Sequence, residues 1–125
     1  MHTFALEKID SIKGKQTAEQ LFVDGVGQLD SFEKDLIGTT YQGEFNTLLT
    51  YMEYICNNNS LPKTKFREIK PSSTPKEYEL KSKHLRLYMI QKPGGKIIIF
   101  GGYKTNQAND IGKFKSLKKQ YLKSL

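Results

Sequence analysis

The sequence predicts an α+β fold, with a small antiparallel or mixed β-sheet and with N-terminal helices and a C-terminal helix packed on one face of that sheet. Three observations support this fold class: a helical stripe near residues 41–57, strand-like segments across 78–104, and a second helical stripe after residue 110. A chain of 125 residues is long enough for one hydrophobic core and too short for two. We therefore predict a single domain, 1–125.

Three strands are predicted between residues 78 and 104. They are Tyr78–Lys81, Leu85–Ile90 and Lys96–Phe100, the last of which carries three successive isoleucines that favour a buried strand. The segment Pro93–Gly95 predicts a tight turn before the third strand, because glycine tolerates the positive φ that a hairpin needs.

Alternation along the second strand predicts one apolar face and one face that carries Arg86 and Tyr88. We expect the apolar face to be covered by helices and the face with Arg86 to be open to solvent. An open cationic face of a sheet is a candidate platform for an anion.

Helices are predicted before and after the strands. The clearest runs from about Tyr41 to about Asn57, and the triplet Asn57–Asn59 closes it because Asn tolerates left-handed backbone. Its apolar stripe consists of Phe45, Leu48, Leu49, Met52, Ile55 and Cys56. Asp110 is a candidate cap for the last helix.

The remaining segments are less regular. Phe4–Ile9 is predicted to form a short strand, and Thr17 is a candidate N-cap of a helix that two glycines weaken. Asp30–Leu36 is predicted to form a second short helix. Residues 60–76 are predicted to form a loop or extended segment, because three prolines oppose helix there.

Composition excludes several classes of protein. No apolar run approaches the roughly 20 residues that span a bilayer, and the N-terminus lacks the pattern of a signal peptide. The one cysteine, Cys56, excludes an internal disulfide and, with two histidines, leaves little for a structural zinc site. We expect a cytoplasmic protein without a membrane partner or a cofactor, in which Cys56 is a core residue.

Charge is distributed unevenly along the chain. Residues 1–60 hold four Lys/Arg against nine Asp/Glu, whereas residues 61–125 hold sixteen against four. This asymmetry favours a polyanionic partner for the second half. The alternative is a lysine-rich surface that only faces water.

Four motifs of the second half follow one another in order. They are Leu-Pro-Lys-x-Lys-Phe-Arg-Glu-Ile at 61–69, Tyr-Glu-Leu-Lys at 78–81, Leu-Arg-Leu-Tyr at 85–88 and Ile-Ile-Ile-Phe-Gly-Gly-Tyr-Lys at 97–104. This string resembles the RelE/HigB-like toxins of bacterial type II toxin–antitoxin systems, in the RelE/ParE superfamily. The resemblance covers about residues 41–125, and residues 1–40 correspond only in outline.

The resemblance implies a fold, an activity and partners. Such toxins are small endoribonucleases that cut messenger RNA, commonly on the ribosome, without a metal, and a cognate antitoxin neutralises them. Cleavage by the RNA's own 2′-hydroxyl needs a base, an acid and cations around the phosphorane. The resemblance thus implies messenger RNA, the ribosome and an antitoxin as partners.

Five positions are the candidate catalytic residues. The arginine of the family's Tyr-Glu-Leu-Arg strand is replaced by Lys81, whereas the arginine of the next strand is retained as Arg86. The aromatic-Lys pair that ends the apolar strand falls on Tyr103 and Lys104, and His84 lies in the turn before Arg86. Arg86 would stabilise the phosphate, Lys81 and Lys104 would act as base or charge stabilisers, and Tyr103 or His84 would be the acid. The candidate RNA-backbone contacts are Lys63, Lys65, Arg67, Lys83 and Lys113.

Each candidate has a structural alternative. Arg86 could instead pair with Glu79 on the neighbouring strand, and Lys81 and His84 could simply face water. At the level of the whole protein, a non-catalytic relative that binds RNA or the ribosome by charge is the second hypothesis. The third is an interaction protein whose basic face docks an acidic partner unrelated to RNA.

Overall fold

The computed structural model describes residues 1–125 and has an α+β fold, with a mixed, open sheet and three helices. The strands are β1 (Phe4–Lys8), β2 (Thr17–Val23), β3 (Val26–Gly27), β4 (Phe66–Glu68), β5 (Glu77–Lys81), β6 (Leu85–Lys92) and β7 (Gly95–Tyr103). The helices are α1 (Gln28–Leu36), α2 (Gln42–Cys56) and α3 (Gln107–Lys123), the last preceded by a 3-10 turn at Lys104–Asn106.

The sheet has the order β1-β2-β7-β6-β5-β4, and β3 pairs with β2. Only β2 and β7 run parallel; the other pairs are antiparallel. The parallel pair begins where Thr17 lies opposite Gly95, and the Thr17 N–H donates to the carbonyl of Gly94 at 2.9 Å. The chain therefore returns to the middle of the sheet with its last strand.

Helices cover both faces of this sheet, so the expectation of helices on one face was wrong. One core lies under α1 and α2; its members include Leu29, Phe32, Phe45, Leu48, Met52, Leu80, Leu85, Leu87, Met89 and Ile98. The second core lies under α3; it contains Leu21, Tyr88, Ile90, Ile97, Ile99, Phe114 and Tyr121. Because neighbouring strand residues point to opposite faces, β6 contributes to both cores.

The expectation of an open face around Arg86 is corrected for the same reason. Every residue of Leu85–Ile90 is buried, and Arg86 is only 7% exposed. Helix α3 packs on β6 and β7 through Phe114, whose ring stacks on that of Tyr88 with 5.7 Å between their centroids. An anion can therefore approach Arg86 only at the end of the sheet.

The predicted helix at Thr17 was also wrong, since Thr17–Val23 forms strand β2. A tight turn at Asp24 and Gly25, with φ of 51° and 81°, leads from β2 into β3. The buried Gln20 then accepts hydrogen bonds from the backbone N–H groups of Leu29 and Asp30, both at 3.0 Å. A strand residue thus satisfies the free N–H groups at the start of α1.

Several other predictions are confirmed. Helix α2 ends at Cys56, which is buried, and Asn58 follows with a φ of 64°. The β6–β7 turn contains Gly94 with a φ of 75°. The predicted loop or extended segment across 60–76 contains the short strand β4. The prediction that Asp110 caps the last helix was wrong, because α3 begins at Gln107 after the N-cap residue Asn106, and Asp110 is buried within its first turn.

Two lysines fasten α3 to the sheet. Lys115 and Lys118 donate to the buried carboxylate of Glu77 on β5 at 3.2 and 3.1 Å, and Lys118 also donates to the carbonyl of Pro75 at 2.7 Å. Part of the basic character of α3 is therefore structural rather than available to a partner. None of the three helices combines the length and the apolar character that a membrane-spanning helix needs.

Candidate functional site

The five candidate catalytic residues lie at one end of the sheet. Lys81 and Arg86 are opposite each other in the β5–β6 register, and His84 lies in the turn between them. Tyr103, at the end of β7, pairs with Leu85, and the Lys104 N–H donates to the carbonyl of His84 at 2.8 Å. The fold thus brings together residues that are 23 positions apart in the sequence.

These residues divide between the two faces of the sheet. Lys81 and Arg86 lie on the face covered by α3, whereas Tyr103 contacts Phe32 and Tyr41 on the face covered by α1 and α2. The β5–β6 turn is the rim at which the two faces meet. A ligand that contacts all five residues must therefore sit across this rim.

On the α3 face, a fully buried carboxylate organises the cations. Glu79 is 0% exposed, and its Oε1 accepts from Arg67 Nε at 2.8 Å and lies 3.9 Å from Lys81 Nζ. Its Oε2 accepts from Gln107 Nε2 at 2.5 Å and lies 3.9 Å from Arg86 Nε. Three cations against one carboxylate leave this cluster with an excess of two positive charges.

Arg86 is held mainly by the backbone. Its Nη1 donates to the carbonyls of Ser82 and Leu85 at 2.6 and 2.8 Å, whereas its buried Nε has no hydrogen-bond partner. The guanidinium therefore braces the β5–β6 turn and carries its charge close to the rim. Of the three cations, Arg67 and Lys81 have the more accessible side chains.

Tyr88 is unsuited to acid–base chemistry. Its phenol oxygen is buried without a hydrogen-bond partner, and burial, reinforced by the charges of Glu79 and Asp110, raises its pKa far above the usual range. The Tyr88 hydroxyl therefore remains protonated at any physiological pH.

On the rim, a carboxylate of α2 orients His84. Glu44 Oε2 lies 3.0 Å from His84 Nδ1, and Glu44 Oε1 accepts from the backbone N–H of His84 at 2.5 Å and from the Ser82 hydroxyl. Burial alone would raise the pKa of Glu44, but the hydrogen bonds from Ser82 and His84 outweigh it, so the pKa is lowered. Glu44 is therefore ionised at neutral pH, and because a carboxylate only accepts, Nδ1 carries the shared proton.

One aromatic ring, that of Tyr41, packs beside the imidazole of His84. The Tyr41 ring lies 5.1 Å from that of His84 and 5.6 Å from that of Tyr103, measured between centroids. The His84 side chain itself is 46% exposed. Its Nδ1 is thus fixed and its ring is braced, while the imidazole remains accessible from solvent.

The candidate RNA-backbone residues are spread along the surface. Lys63, Lys83 and Lys113 are exposed, and Lys113 Nζ lies 5.9 Å from the ring centroid of Phe100. Lys65 Nζ lies 5.6 Å from the ring centroid of Tyr51 on α2. Arg67, by contrast, belongs to the Glu79 cluster. Three of the five lie beside the rim: Lys83 is in the β5–β6 turn, Arg67 pairs with Glu79, and the Lys65 carbonyl accepts from the backbone N–H of Lys81 at 2.6 Å.

Sequence reasoning missed three residues of this site. Glu44 and Tyr41 lie at the start of α2, where the search for an apolar stripe gave them no role, and Gln107 starts α3. No local motif marks the Glu44–His84 contact, because it joins residues 40 positions apart. The pairing of Arg86 with Glu79, the structural alternative for Arg86 in the sequence analysis, is confirmed, with 3.9 Å between Arg86 Nε and Glu79 Oε2.

Comparisons with family models, with curated proteins and with solved structures gave no match for this chain. The resemblance to RelE/HigB toxins therefore depends on the four short sequence motifs alone.

Proposed function

We propose that the chain is a RelE/HigB-like toxin, an endoribonuclease that cuts ribosome-bound messenger RNA and that a cognate antitoxin neutralises. The observation that carries this proposal is the Glu44–His84 pair at a rim that also holds Lys81, Arg86 and Lys104. An oriented imidazole beside several cations is what internal transfer at a phosphodiester requires.

The proposed reaction uses His84 as the proton-transfer group. With Nδ1 bound to Glu44, the lone pair of Nε2 accepts the proton of the RNA 2′-hydroxyl. The 2′-oxygen attacks the phosphorus and the bond from phosphorus to the 5′-oxygen breaks. The His84 imidazolium, which holds the proton taken from the 2′-hydroxyl, donates it to the leaving 5′-oxygen, with the Tyr103 hydroxyl as the alternative donor. The products are a 2′,3′-cyclic phosphate and a 5′-hydroxyl.

Cations supply the charge stabilisation. Lys81, which is half-buried, and Lys104, which is exposed, carry the two ammonium groups that we assign to the non-bridging oxygens of the phosphorane. Arg86 adds its positive charge from a buried position and keeps the turn in shape. Tyr103 supports the Tyr41 ring beside His84 and offers a hydroxyl as the alternative acid.

An antitoxin of matching charge is the proposed protein partner. The second half of the chain carries a large excess of Lys/Arg, which attracts an acidic segment. A segment that covers the rim would exclude RNA from His84 and so silence the proposed activity.

The proposal is tested with purified protein and end-labelled messenger RNA, either free in buffer that contains EDTA or bound to bacterial ribosomes in buffer that contains the Mg²⁺ that ribosomes need. We expect cuts that leave 2′,3′-cyclic phosphate ends and that disappear with His84→Gln. Intact RNA under all these conditions would contradict the proposed activity.

A second function is favoured by the burial of Arg86 and by the lysine at position 81. A lysine is a point charge that cannot grip phosphate with a planar fork, and Arg86 spends Nη1 on backbone carbonyls. A non-catalytic protein that binds RNA or the ribosome would tolerate both features. Such a protein would bind RNA with an affinity that falls steeply with salt and would cut nothing.

A further inference from the structure

A cavity lies between the end of α2, the strand β4 and the start of β7, and none of the five candidate catalytic residues lines it. Its volume is about 360 Å³, within the range of small-molecule sites. Its lining is mixed: amide and hydroxyl groups come from Gln16, Asn58, Asn59 and Ser60, and apolar groups come from Ile55, Leu61 and Phe66.

Lys96 is the only ionisable residue that lines this cavity. It is 6% exposed, and it takes part in no ion pair with a carboxylate. Its Nζ donates to Gln16 Oε1 at 3.0 Å and lies 5.7 Å from the ring centroid of Tyr78. Buried lysines are ordinarily paired with an acid, so this ammonium lacks its usual counter-charge.

The surroundings of Lys96 leave its charge incompletely compensated. An ammonium has three donors, and one of them is used by the amide oxygen of Gln16. Burial lowers the pKa of Lys96, which means that the site as it stands disfavours the charged form. A negatively charged hydrogen-bond acceptor in the cavity would stabilise the charged form of Lys96, which burial disfavours.

The lining also indicates the kind of anion. A phosphate carries close to two charges and is usually held by several cations or by an arginine fork, whereas this cavity offers one ammonium. A carboxylate needs one counter-charge, and the apolar side chains at Ile55, Leu61 and Phe66 suit an organic body attached to it.

We propose that this cavity is a binding site for a small organic carboxylate, whose carboxylate group pairs with Lys96 and whose apolar body lies against Leu61 and Phe66. This site is separate from the rim that holds His84, and the proposal does not depend on the ribonuclease activity.

The experiment titrates the full chain with benzoate, followed by amide chemical shifts in NMR spectra. Benzamide serves as the neutral ligand of the same shape, and inorganic phosphate serves as the anion without an apolar body. We expect saturable shifts with benzoate at concentrations up to about 10 mM, centred on the amides of residues 58–61 and 96. Benzamide and phosphate should shift these amides little.

Variants separate the site from general charge effects. Lys96→Met should weaken benzoate binding by about tenfold or more, because it removes a charge-assisted contact and leaves the volume nearly unchanged. The matched control is Lys119→Met, on the exposed side of α3, which should bind benzoate as the wild type does. If Lys96→Met does not fold, Lys96→Gln, which keeps a polar head, replaces it.

Four results would overturn the proposal. They are the absence of saturable benzoate shifts, equal binding by folded Lys96→Met, equal binding of benzamide, and phosphate binding in preference to benzoate.

Discussion

Arg86 Nε lies 3.9 Å from Glu79 Oε2, and both side chains are buried on the face of the sheet that α3 covers. The two residues come from neighbouring strands, and Glu79 also accepts from Arg67 and Gln107. Arg86 therefore stabilises the fold, independently of any role in binding or cutting RNA. Variants at this position must be chosen so that loss of folding is not mistaken for loss of function.

Arg86→Lys and Arg86→Ala are expected to differ in stability. The alanine variant removes the brace on the Ser82 and Leu85 carbonyls and one cation near Glu79, so it should lose about 2–4 kcal/mol of unfolding free energy. The lysine variant keeps the charge and should lose less. Urea unfolding of both variants checks this; equal stability of Arg86→Ala and wild type would contradict a bracing role.

His84→Gln is expected to separate chemistry from folding. The side chain is 46% exposed and its contact with Glu44 is a partly exposed pair, so the free energy of unfolding should change by no more than about 1 kcal/mol. Cleavage should fall by about 10²–10⁴-fold, the usual contribution of a general acid or base. The rate is measured on labelled RNA, and a loss smaller than threefold would remove His84 from the mechanism.

The ion pairs of Glu77 are expected to make folding sensitive to acid. Burial alone would raise the pKa of Glu77, but Lys118 and Lys115 outweigh it, so the pKa in the folded protein lies below its ordinary value of 4.5. A lowered pKa means that Glu77 stabilises the fold above about pH 4.5, and that this stabilisation is lost as the pH falls through the folded pKa.

Glu77→Gln tests this statement. At pH 7 the variant should be about 1–3 kcal/mol less stable than wild type, and near pH 3 the difference should shrink. Urea unfolding at the two pH values gives both numbers, with the exposed Glu7→Gln as the control. A difference that stays constant with pH would show that Glu77 contributes by packing rather than by charge.

Gly95→Ala is expected to disturb the parallel pairing of β2 and β7. A Cβ at this position would lie 2.1 Å from the Thr17 carbonyl oxygen, which is backbone and cannot move aside cheaply. We expect a loss of at least about 2 kcal/mol. Gly112→Ala in α3 is the matched control, because a Cβ there meets nothing within 4 Å and alanine favours helix by up to about 1 kcal/mol. Thermal unfolding that ranks the two variants in the opposite order would contradict this packing.

The sequence predicts the central hairpin and α2 well because their signals are local. Three local signals predict these elements: the isoleucines at 97–99 predict a strand, Gly94 predicts the turn, and the apolar stripe predicts α2. Strand β2 was misread because Thr17 and Ala18 open a run that also suits a helix. The pair Asp24-Gly25 indicates a strand at this position instead of a helix, since Asp-Gly between apolar segments is a strong hairpin signal.

The burial of Arg86 can be predicted only by considering β6 together with the neighbouring strand β7. Apolar and polar residues alternate at the start of β6, and this alternation favours a solvent-exposed face for Arg86. The same face of the sheet, however, also carries Tyr88, Ile90, Ile97 and Ile99. Apolar residues on both faces indicate a sheet covered on both sides. The contact of His84 with Glu44 cannot be predicted from any local pattern, because only the packing of α2 beside the β5–β6 turn creates it.

The most direct test of the proposed activity is brief induction of the chain in a bacterial host, with growth and messenger-RNA integrity as readouts. Wild type is compared with His84→Gln, with Arg86→Lys and with the exposed control Lys119→Met. We predict that wild type and the control stop growth and leave messages cut within reading frames, whereas His84→Gln does neither. Intact messages and normal growth with folded wild-type protein would contradict the ribonuclease account and favour an RNA- or ribosome-binding protein.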